Sequence, residues 1–148
     1  MVLKFKCLNC LHCCFFSTPI DYPIVLREEI EKLKELASRR GISLNFKPIT
    51  DYFYLWVIDG FCPFYDLAHR RCSIHEDKPS SCKMFPLLLN VKTGEISVSF
   101  ACDWVVSYIN DVINESSNIA DVFHDEFEVI VNLFRRIKAL RMVDQHGR

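Results

Sequence analysis

Four cysteines lie within eight residues near the start of the chain, in the run CLNCLHCC at residues 7–14. Disulfides between such close neighbours are strained and close only tiny loops, which stabilise a fold little. Burial as small hydrophobic residues explains one or two cysteines, but not four together. The run therefore predicts a metal site. A thiol-redox pair at Cys7 and Cys10 is a less favoured alternative, because no thioredoxin-like βαβ pattern surrounds them.

The bulk composition suits one globular domain in a reducing compartment. The chain has 148 residues, of which 50% are hydrophobic, 25% are charged and eight are cysteines. The start of the chain lacks the apolar segment of a secretory signal, and no apolar run is long enough to span a bilayer. We therefore expect a cytoplasmic protein that uses its cysteines as metal ligands or redox groups. The net charge of −1 argues against nucleic acid as a partner, and the sequence identifies no protein or redox partner.

Four further cysteines, Cys62, Cys72, Cys82 and Cys102, lie downstream on predicted turns and loops, where a scaffold places ligands. Four thiolates can hold either a structural zinc ion or an iron–sulfur cluster such as 4Fe-4S. The residues at 7, 10 and 13 reproduce the first three ligands of the bacterial ferredoxin run, C-x2-C-x2-C, and Cys62 is a candidate fourth. A zinc ribbon would need a second, remote C-x2-C pair, which the sequence lacks. The spacing therefore favours iron.

The adjacent pair Cys13 and Cys14 raises the question of one site or two. In an extended backbone their side chains point to opposite sides, so one metal is not expected to take both. Either one is a ligand and the other a spare thiol, or they serve two sites. All eight cysteines are candidate metal ligands: Cys7, Cys10, Cys13, Cys14, Cys62, Cys72, Cys82 and Cys102. No Ser-His-Asp set or paired catalytic carboxylates stand out, so no catalytic residue is assigned.

Several basic residues and two histidines lie close in sequence to these cysteines. Cations lower the pKa of thiols and offset thiolate charge, although ordinary surface charge explains them equally well; they are Lys6, Arg70, Arg71, Lys78 and Lys83. His12 and His75 stand at plausible ligand positions. Because the cysteines already supply enough donors, solvated or supporting roles for both imidazoles are favoured.

The hydrophobic pattern predicts an α+β fold. A helix is expected from an Asp21 N-cap to a stop at Gly41, with Leu26, Ile30, Leu33 and Ala37 on its apolar face. A strand at 52–58 should turn at Asp59-Gly60 into a return segment at 61–63, and a second hairpin should join 87–91 to 95–100. Two C-terminal helices follow: one starts at Asp103, and the other carries an apolar stripe after a polar break at 114–118. The stripe comprises Phe123, Phe127, Ile130, Phe134 and Ile137. We predict a single domain, 1–148, with a metal-binding region at 5–102 and a helical part at 103–148.

Three sequence segments together match the pattern of a known family. The first is the C-x2-C-x2-C-C run, the second is Cys62-Pro63-Phe64, and the third is CSIH at 72–75 followed by KPSSCKMFP at 78–86. Over roughly residues 5–102 this chain resembles the CxxCxxCC family of zinc- or iron-chelating proteins, often described as containing an iron–sulfur cluster. His75 replaces the usual Tyr of the family. Lys78 and Lys83 replace arginines, which keeps the charge but loses bidentate hydrogen bonding.

The resemblance implies metal chelation without an agreed reaction, so three functions are weighed. The first is an iron–sulfur or iron protein with a redox or cluster-dependent role, and the second is a structural zinc module for protein interaction. The third is a cluster-dependent methyltransferase-like enzyme, because a related domain occurs in flagellin lysine methylases. The chain has only four glycines, none of them paired, and so lacks a Gly-rich adenosylmethionine loop, which counts against the third. Whether the protein is an enzyme stays open.

Overall fold

The computed structural model describes residues 3–8, 11–18, 22–114 and 119–146. The chain forms two compact units. We call Asn9–Cys82 the cysteine unit, and Met1–Leu8 with Lys83–Arg148 the helical unit. The predicted α+β class is confirmed, with short antiparallel hairpins, an N-terminal helix and C-terminal helices. That residues 1–148 fold as a single domain stays a prediction.

The cysteine unit consists of short strands around one long helix. In chain order its elements are a 3₁₀ helix (Leu11–Cys14), β1 (Phe15–Phe16), β2 (Ile24–Leu26), α1 (Arg27–Ser38), β3 (Phe46–Pro48), β4 (Phe53–Trp56), β5 (Gly60–Phe61), β6 (Tyr65–Asp66), β7 (Arg71–Cys72) and α2 (Ser80–Lys83). Strands β2, β4 and β3 form an antiparallel sheet with β4 in the centre, while β1 pairs with β5 and β6 with β7. The strands have only two to four residues each, so the positions of the connecting loops depend on these pairings.

The start of α1 differs from its prediction. Asp21, the expected cap, lies outside the described residues, and the helix begins at Arg27. Residues 24–26 instead form β2, because Val25 and Leu26 pair with Tyr54 and Phe53 of β4. A tertiary partner thus overrides the local helix signal. All four residues of the predicted apolar face are buried, and Gly41 has a φ of 65° just past the helix end, as a stop residue requires.

The predicted hairpin across Asp59-Gly60 is wrong. Strand β4 has a neighbour on each edge, so no edge is left for the segment that follows it. Gly60, with a φ of 82°, turns the chain away. Strand β5 then pairs with β1, with Phe15 opposite Phe61 and Phe16 opposite Gly60.

The core of the cysteine unit lies between α1 and the three-stranded sheet. Trp56 and Phe64 are 2% and 1% exposed, and their ring centroids lie 6.0 Å apart. Leu33 of α1 and Val25 of β2 are equally buried in this core. Ile74 belongs to the same cluster, so the segments around Cys62 and Cys72 are anchored through their apolar neighbours.

The helical unit contains the second hairpin and the C-terminal helices. Its elements are β8 (Leu87–Leu89), β9 (Ile96–Val98), α3 (Asp103–Asn114), α4 (Ile119–Val122) and α5 (His124–His146). The predicted hairpin is confirmed, with Leu87 opposite Val98. Three helical segments replace the predicted two, because α4 and α5 are separated at Phe123. Residues 115–118 of the predicted break, and the side chains of Ile109, Val112 and Ile113, lie outside what the structure describes.

The core of the helical unit is aromatic and includes the N-terminal segment. Trp104 and Phe123 are buried, and the ring of Phe5 lies 5.2 Å and 5.3 Å from theirs. The Phe5 N–H donates to the Val122 carbonyl at 2.8 Å. In the predicted stripe, Phe123, Ile130 and Ile137 are fully buried, so this stripe is core. Among the described residues, no helix has the length and apolar character needed to cross a membrane.

Gly94→Ala should destabilise the helical unit. The residue has a φ of 77°, and a Cβ there would lie 2.9 Å from Cζ of Phe134. Backbone strain plus the forced shift of this ring should cost about 2–3 kcal/mol. Urea unfolding measures the loss. Gly41→Ala is the control, because its φ is 65° and its Cβ would meet nothing within 4 Å. An equal loss in both variants would contradict the role of the Phe134 contact.

Candidate metal centre

The 3₁₀ helix brings the two adjacent cysteines to the same side of the backbone. Cys13 and Cys14 end this helix, and their sulfurs lie 3.9 Å apart. The expectation that they point to opposite sides assumed an extended backbone and is wrong. Two thiolates on one tetrahedral zinc ion, each at 2.3 Å, would be separated by about 3.8 Å. One metal ion can therefore be reached by both sulfurs.

The pairing of β1 with β5 brings Cys62 beside this pair. Cys14 directly precedes β1, and Cys62 directly follows β5. The antiparallel register places the two residues next to each other, and the Cys62 N–H donates to the Cys14 carbonyl at 2.6 Å. The site is thus joined by backbone hydrogen bonds between segments that are far apart in sequence.

A tight turn after Cys62 joins it to Cys72. The Tyr65 N–H donates to the Cys62 carbonyl at 2.9 Å, and Tyr65 pairs with Cys72 across β6 and β7. The backbone N–H groups of Phe64 and Tyr65 also act to lower the pKa of Cys62, and that of Ile74 acts to lower the pKa of Cys72. Such donors stabilise thiolates, as in the knuckles that bind metals.

The fifth thiol comes from α2. Cys82 lies on this short helix, and its N–H donates to the Pro79 carbonyl at 2.9 Å. Its thiol interacts electrostatically with those of Cys62, Cys72 and Cys13, and the Cys72 thiol raises the pKa of Cys14. We call these five residues of the cysteine unit the thiol site: Cys13, Cys14, Cys62, Cys72 and Cys82.

The other three predicted ligands are not assigned to the thiol site. Cys7 is exposed and belongs to the helical unit, and Cys10 lies outside the described residues. Cys102 is 4% exposed in the core of the helical unit, in the same cluster as Met84 and Trp104. That these three ligate a metal stays a prediction.

The thiols of the thiol site differ in pKa. The hydrogen bond with the Cys14 thiol lowers the pKa of Cys13 to about 7, and the same thiol lowers that of Cys72 to about 6. These two neighbours raise the pKa of Cys14, because both stabilise its single proton. Burial raises the pKa of Cys62 to about 12 and also raises that of Cys82. Without a cation the crowded sulfurs thus keep most of their protons, and a metal would release them.

Two cations face the thiol site. Of the five basic residues singled out in the sequence, Lys78 interacts electrostatically with Cys13, Cys72 and Cys82. Arg40, which the sequence did not indicate, lowers the pKa of Cys72. Its guanidinium donates to Oγ of Ser73 at 3.3 Å and lies 5.6 Å from the Phe64 ring centroid. Ser73 is 33 residues away in sequence, so no local pattern predicts this contact.

Glu29 is a second residue that the sequence did not connect with the site. Its Oε1 accepts the Leu26 N–H at 2.9 Å, which caps α1. Its Oε2 accepts the Ser80 N–H at 2.7 Å, at the start of α2. The acidic first turn of α1 is a recognisable helix-start signal, but the contact with Ser80 is visible only in the structure.

His75→Tyr should retain metal. His75 is exposed, and its Nδ1 lies 3.4 Å from Nζ of Lys78, which lowers the pKa of the imidazole. The favoured solvated role predicts unchanged metal content and a melting temperature within about 2 °C of the parent. Metal analysis and a thermal melt test this result, and loss of metal would identify His75 as a ligand. The His12 side chain lies outside the described residues.

The chemistry of the donor set fits a soft metal. Five sulfurs, backbone N–H donors and nearby cations suit zinc or iron, which thiolates select over hard cations such as magnesium. Thiolates surrounded by N–H donors are also the setting of iron–sulfur clusters. The thiol site can therefore hold either kind of metal group.

Comparison with known proteins gives one family and one distant relative. The sequence profile of the CxxCxxCC family, described as "Putative zinc- or iron-chelating domain", matches residues 6–103. The chain is 20% identical over 136 residues to a protein of Methanocaldococcus jannaschii named "Uncharacterized protein MJ0661", covering 87% of this chain and 69% of that protein. No solved structure matches the chain. The matched range of the profile includes the whole thiol site.

Proposed function

Because the chain belongs to the CxxCxxCC family, we propose that the thiol site holds an iron–sulfur cluster, or iron, and gives the protein a redox or cluster-dependent role. Four of the five thiols would be the ligands. The group would supply one-electron chemistry, and the protein would set its potential through hydrogen bonds to sulfur, charge and solvent exposure. Its reduced thiols suit the cytoplasm.

The observation that carries this proposal is the convergence of five thiols from four separate segments. They come from the 3₁₀ helix, the end of β5, strand β7 and helix α2. Each segment is held by its own backbone hydrogen bonds, which fix the positions from which the thiols project. A hydrophobic core would not need five cysteines in one neighbourhood, since buried cysteines are normally dispersed as small apolar residues.

Iron is favoured over zinc by the surroundings of the thiols. A structural zinc ion and an iron–sulfur cluster both take four ligands, so the number of sulfurs does not distinguish them. The N–H donors at Cys62 and Cys72 resemble the hydrogen bonds that tune iron–sulfur clusters.

A structural zinc ion is the second candidate. The 3.9 Å separation of the Cys13 and Cys14 sulfurs is close to the distance between two sulfurs of a tetrahedral zinc–thiolate site. Zinc would join the 3₁₀ helix to the loops around Cys62, Cys72 and Cys82, and the function would then be protein interaction.

Anaerobic purification followed by metal analysis distinguishes an iron–sulfur cluster from a structural zinc ion. Iron and acid-labile sulfide in comparable amounts, with a brown visible spectrum, would support the iron–sulfur proposal. A colourless protein with tightly bound zinc would replace it with the structural alternative, because zinc is d¹⁰ and does not absorb. A protein that binds neither metal, even after reconstitution with iron and sulfide, would overturn both.

A further inference from the structure

We propose that Glu29 is a positioning residue of the metal centre, which holds Cys82 in place by anchoring α2 to α1. This inference rests on the proposed function, since it concerns a ligand of the same site. Glu29 carries no sulfur and touches no thiol in the contacts described above. It acts through the backbone of Ser80, two residues before Cys82.

The geometry is a bridge between two backbone segments. One carboxylate oxygen accepts the N–H of Leu26 at 2.9 Å, and the other accepts the N–H of Ser80 at 2.7 Å. Glu29 and Ser80 are 51 residues apart in sequence. A carboxylate has two acceptor oxygens, so both bonds form at once, and each is a short, charge-assisted bond.

The anchor on the α1 side is rigid. Glu29 lies in the first turn of α1, next to the buried Ile30, and Leu33, Leu36 and Ala37 of the same helix are also buried. The carboxylate is half-buried, so water competes with it less than with the exposed acids of this helix. The Glu29 carboxylate that contacts α2 is therefore held in a fixed position by α1.

The α2 side needs such an anchor. This helix has four residues, which is too short to be stable through its own hydrogen bonds. Of the thiol site, Cys82 is the member that α2 carries, while Cys72 lies on the paired strand β7 and Cys62 directly follows the paired strand β5. The bond to Ser80 thus fixes the ligand whose own element is least stable. Groups that orient ligands in this way typically contribute 10–100-fold to metal affinity.

Arg40, which follows the C-cap residue Arg39 of α1, supports the same interpretation. Its contacts with Ser73 and the Phe64 ring reach the segment that carries Cys62 and Cys72. Residues at the start of α1 and just after its end therefore contact the two ligand-bearing parts of the site.

The test is the affinity of Glu29→Gln for Co²⁺ and Zn²⁺, each added alone to metal-free protein. The amide keeps one acceptor oxygen but turns an N–H₂ toward one of the two donors, so one bond is lost. We expect the dissociation constant to rise about 10–100-fold. Thiolate-to-Co²⁺ charge-transfer absorption should also weaken, which a general loss of stability would not cause.

Ser80→Pro is the second variant, and it removes the N–H donor while Glu29 still caps α1. Proline is tolerated in the first turn of a helix, so α2 can form. This variant should lose the same affinity as Glu29→Gln, and the double variant should lose no more, because both remove one interaction. Equal losses of affinity in Glu29→Gln, Ser80→Pro and the double variant would support the proposal. If Glu29→Gln proved unstable, the loss in Ser80→Pro would still support it.

Glu31→Gln is the matched control, with the same charge change on an exposed residue of the same helix. It should bind both ions like the parent. Unchanged affinity in both Glu29→Gln and Ser80→Pro, with normal binding by the parent, would overturn the positioning role alone. Failure of the parent to bind either ion, and to form a cluster after reconstitution with iron and sulfide, would instead overturn the proposed function and this inference with it.

Discussion

Cys82→Ser should lose both the metal and the stability that the metal confers. A ligand that binds only the folded state at 1,000 times its Kd stabilises it by about 4 kcal/mol. For a unit of this size, each kcal/mol corresponds to about 4–8 °C in melting temperature. The metal-loaded variant should therefore melt roughly 15–30 °C below the metal-loaded parent. The metal-free forms of the two should differ by only a few degrees, since serine is close to cysteine in size. Metal analysis and thermal melts in both forms measure these differences.

Lys83→Gln is the control for this experiment, because it changes the neighbouring exposed residue of the same helix without removing a thiol. It should keep its metal and its metal-dependent rise in melting temperature. If Cys82→Ser kept both as well, Cys82 would not be a ligand. Cys7→Ser extends the test to the N-terminal run, because loss of metal there would add Cys7 to the ligands.

Phe64→Ala should unfold much of the cysteine unit. The side chain is 1% exposed, packs on Trp56 at 6.0 Å and lies beneath the guanidinium of Arg40. Removing a buried phenylalanine ring costs about 3–5 kcal/mol through lost burial and the cavity left behind. The Phe64 carbonyl accepts the Ser73 N–H at 2.8 Å, and the Phe64 N–H acts to lower the pKa of Cys62. Alanine keeps both backbone groups, but without the buried ring the segment that carries them loses its anchor, so metal affinity should fall together with stability.

Phe61→Ala is the matched comparison, three residues earlier. Phe61 is 38% exposed and contacts Phe15 and Tyr65 at the surface. Its loss should cost about 1 kcal/mol or less and leave metal binding intact. Urea unfolding of the metal-free variants gives the two values. Equal losses in Phe64→Ala and Phe61→Ala would mean that the ring of Phe64 is not a core contact.

Local patterns predicted the fold where the structure depends on local contacts. The hairpin at 87–98 follows from its turn and its alternating residues, and the stripe around Phe123 and Ile130 follows from helical spacing. The errors occur where distant segments pair. Residues 24–26 became a strand because β4 lies beside them, and Gly60 turned away from β4 because both edges of that strand were occupied.

The same distinction between local and long-range contacts applies to the thiol site. The cysteines were recognisable as ligands from their density, and the cation Lys78 from its position between Cys72 and Cys82. Arg40 and Glu29 were not, because each contacts a segment more than 30 residues away. The relation of Cys13 to Cys14 was predicted wrongly because it depends on a 3₁₀ turn, which two adjacent cysteines do not indicate by themselves.

The amino-acid sequence by itself determined the chemistry of this protein. Thiolates bind soft metals wherever they are gathered, so the number and kind of cysteines point to zinc or iron without any coordinates. Only the tertiary structure decided which thiols meet. The pairing of β1 with β5, the turn from Cys62 to β7 and the bond from Glu29 to Ser80 each join segments far apart in the chain. Such contacts depend on which strand edges and backbone donors stay available after the core has formed. Residue spacing in the sequence does not show which of them those will be.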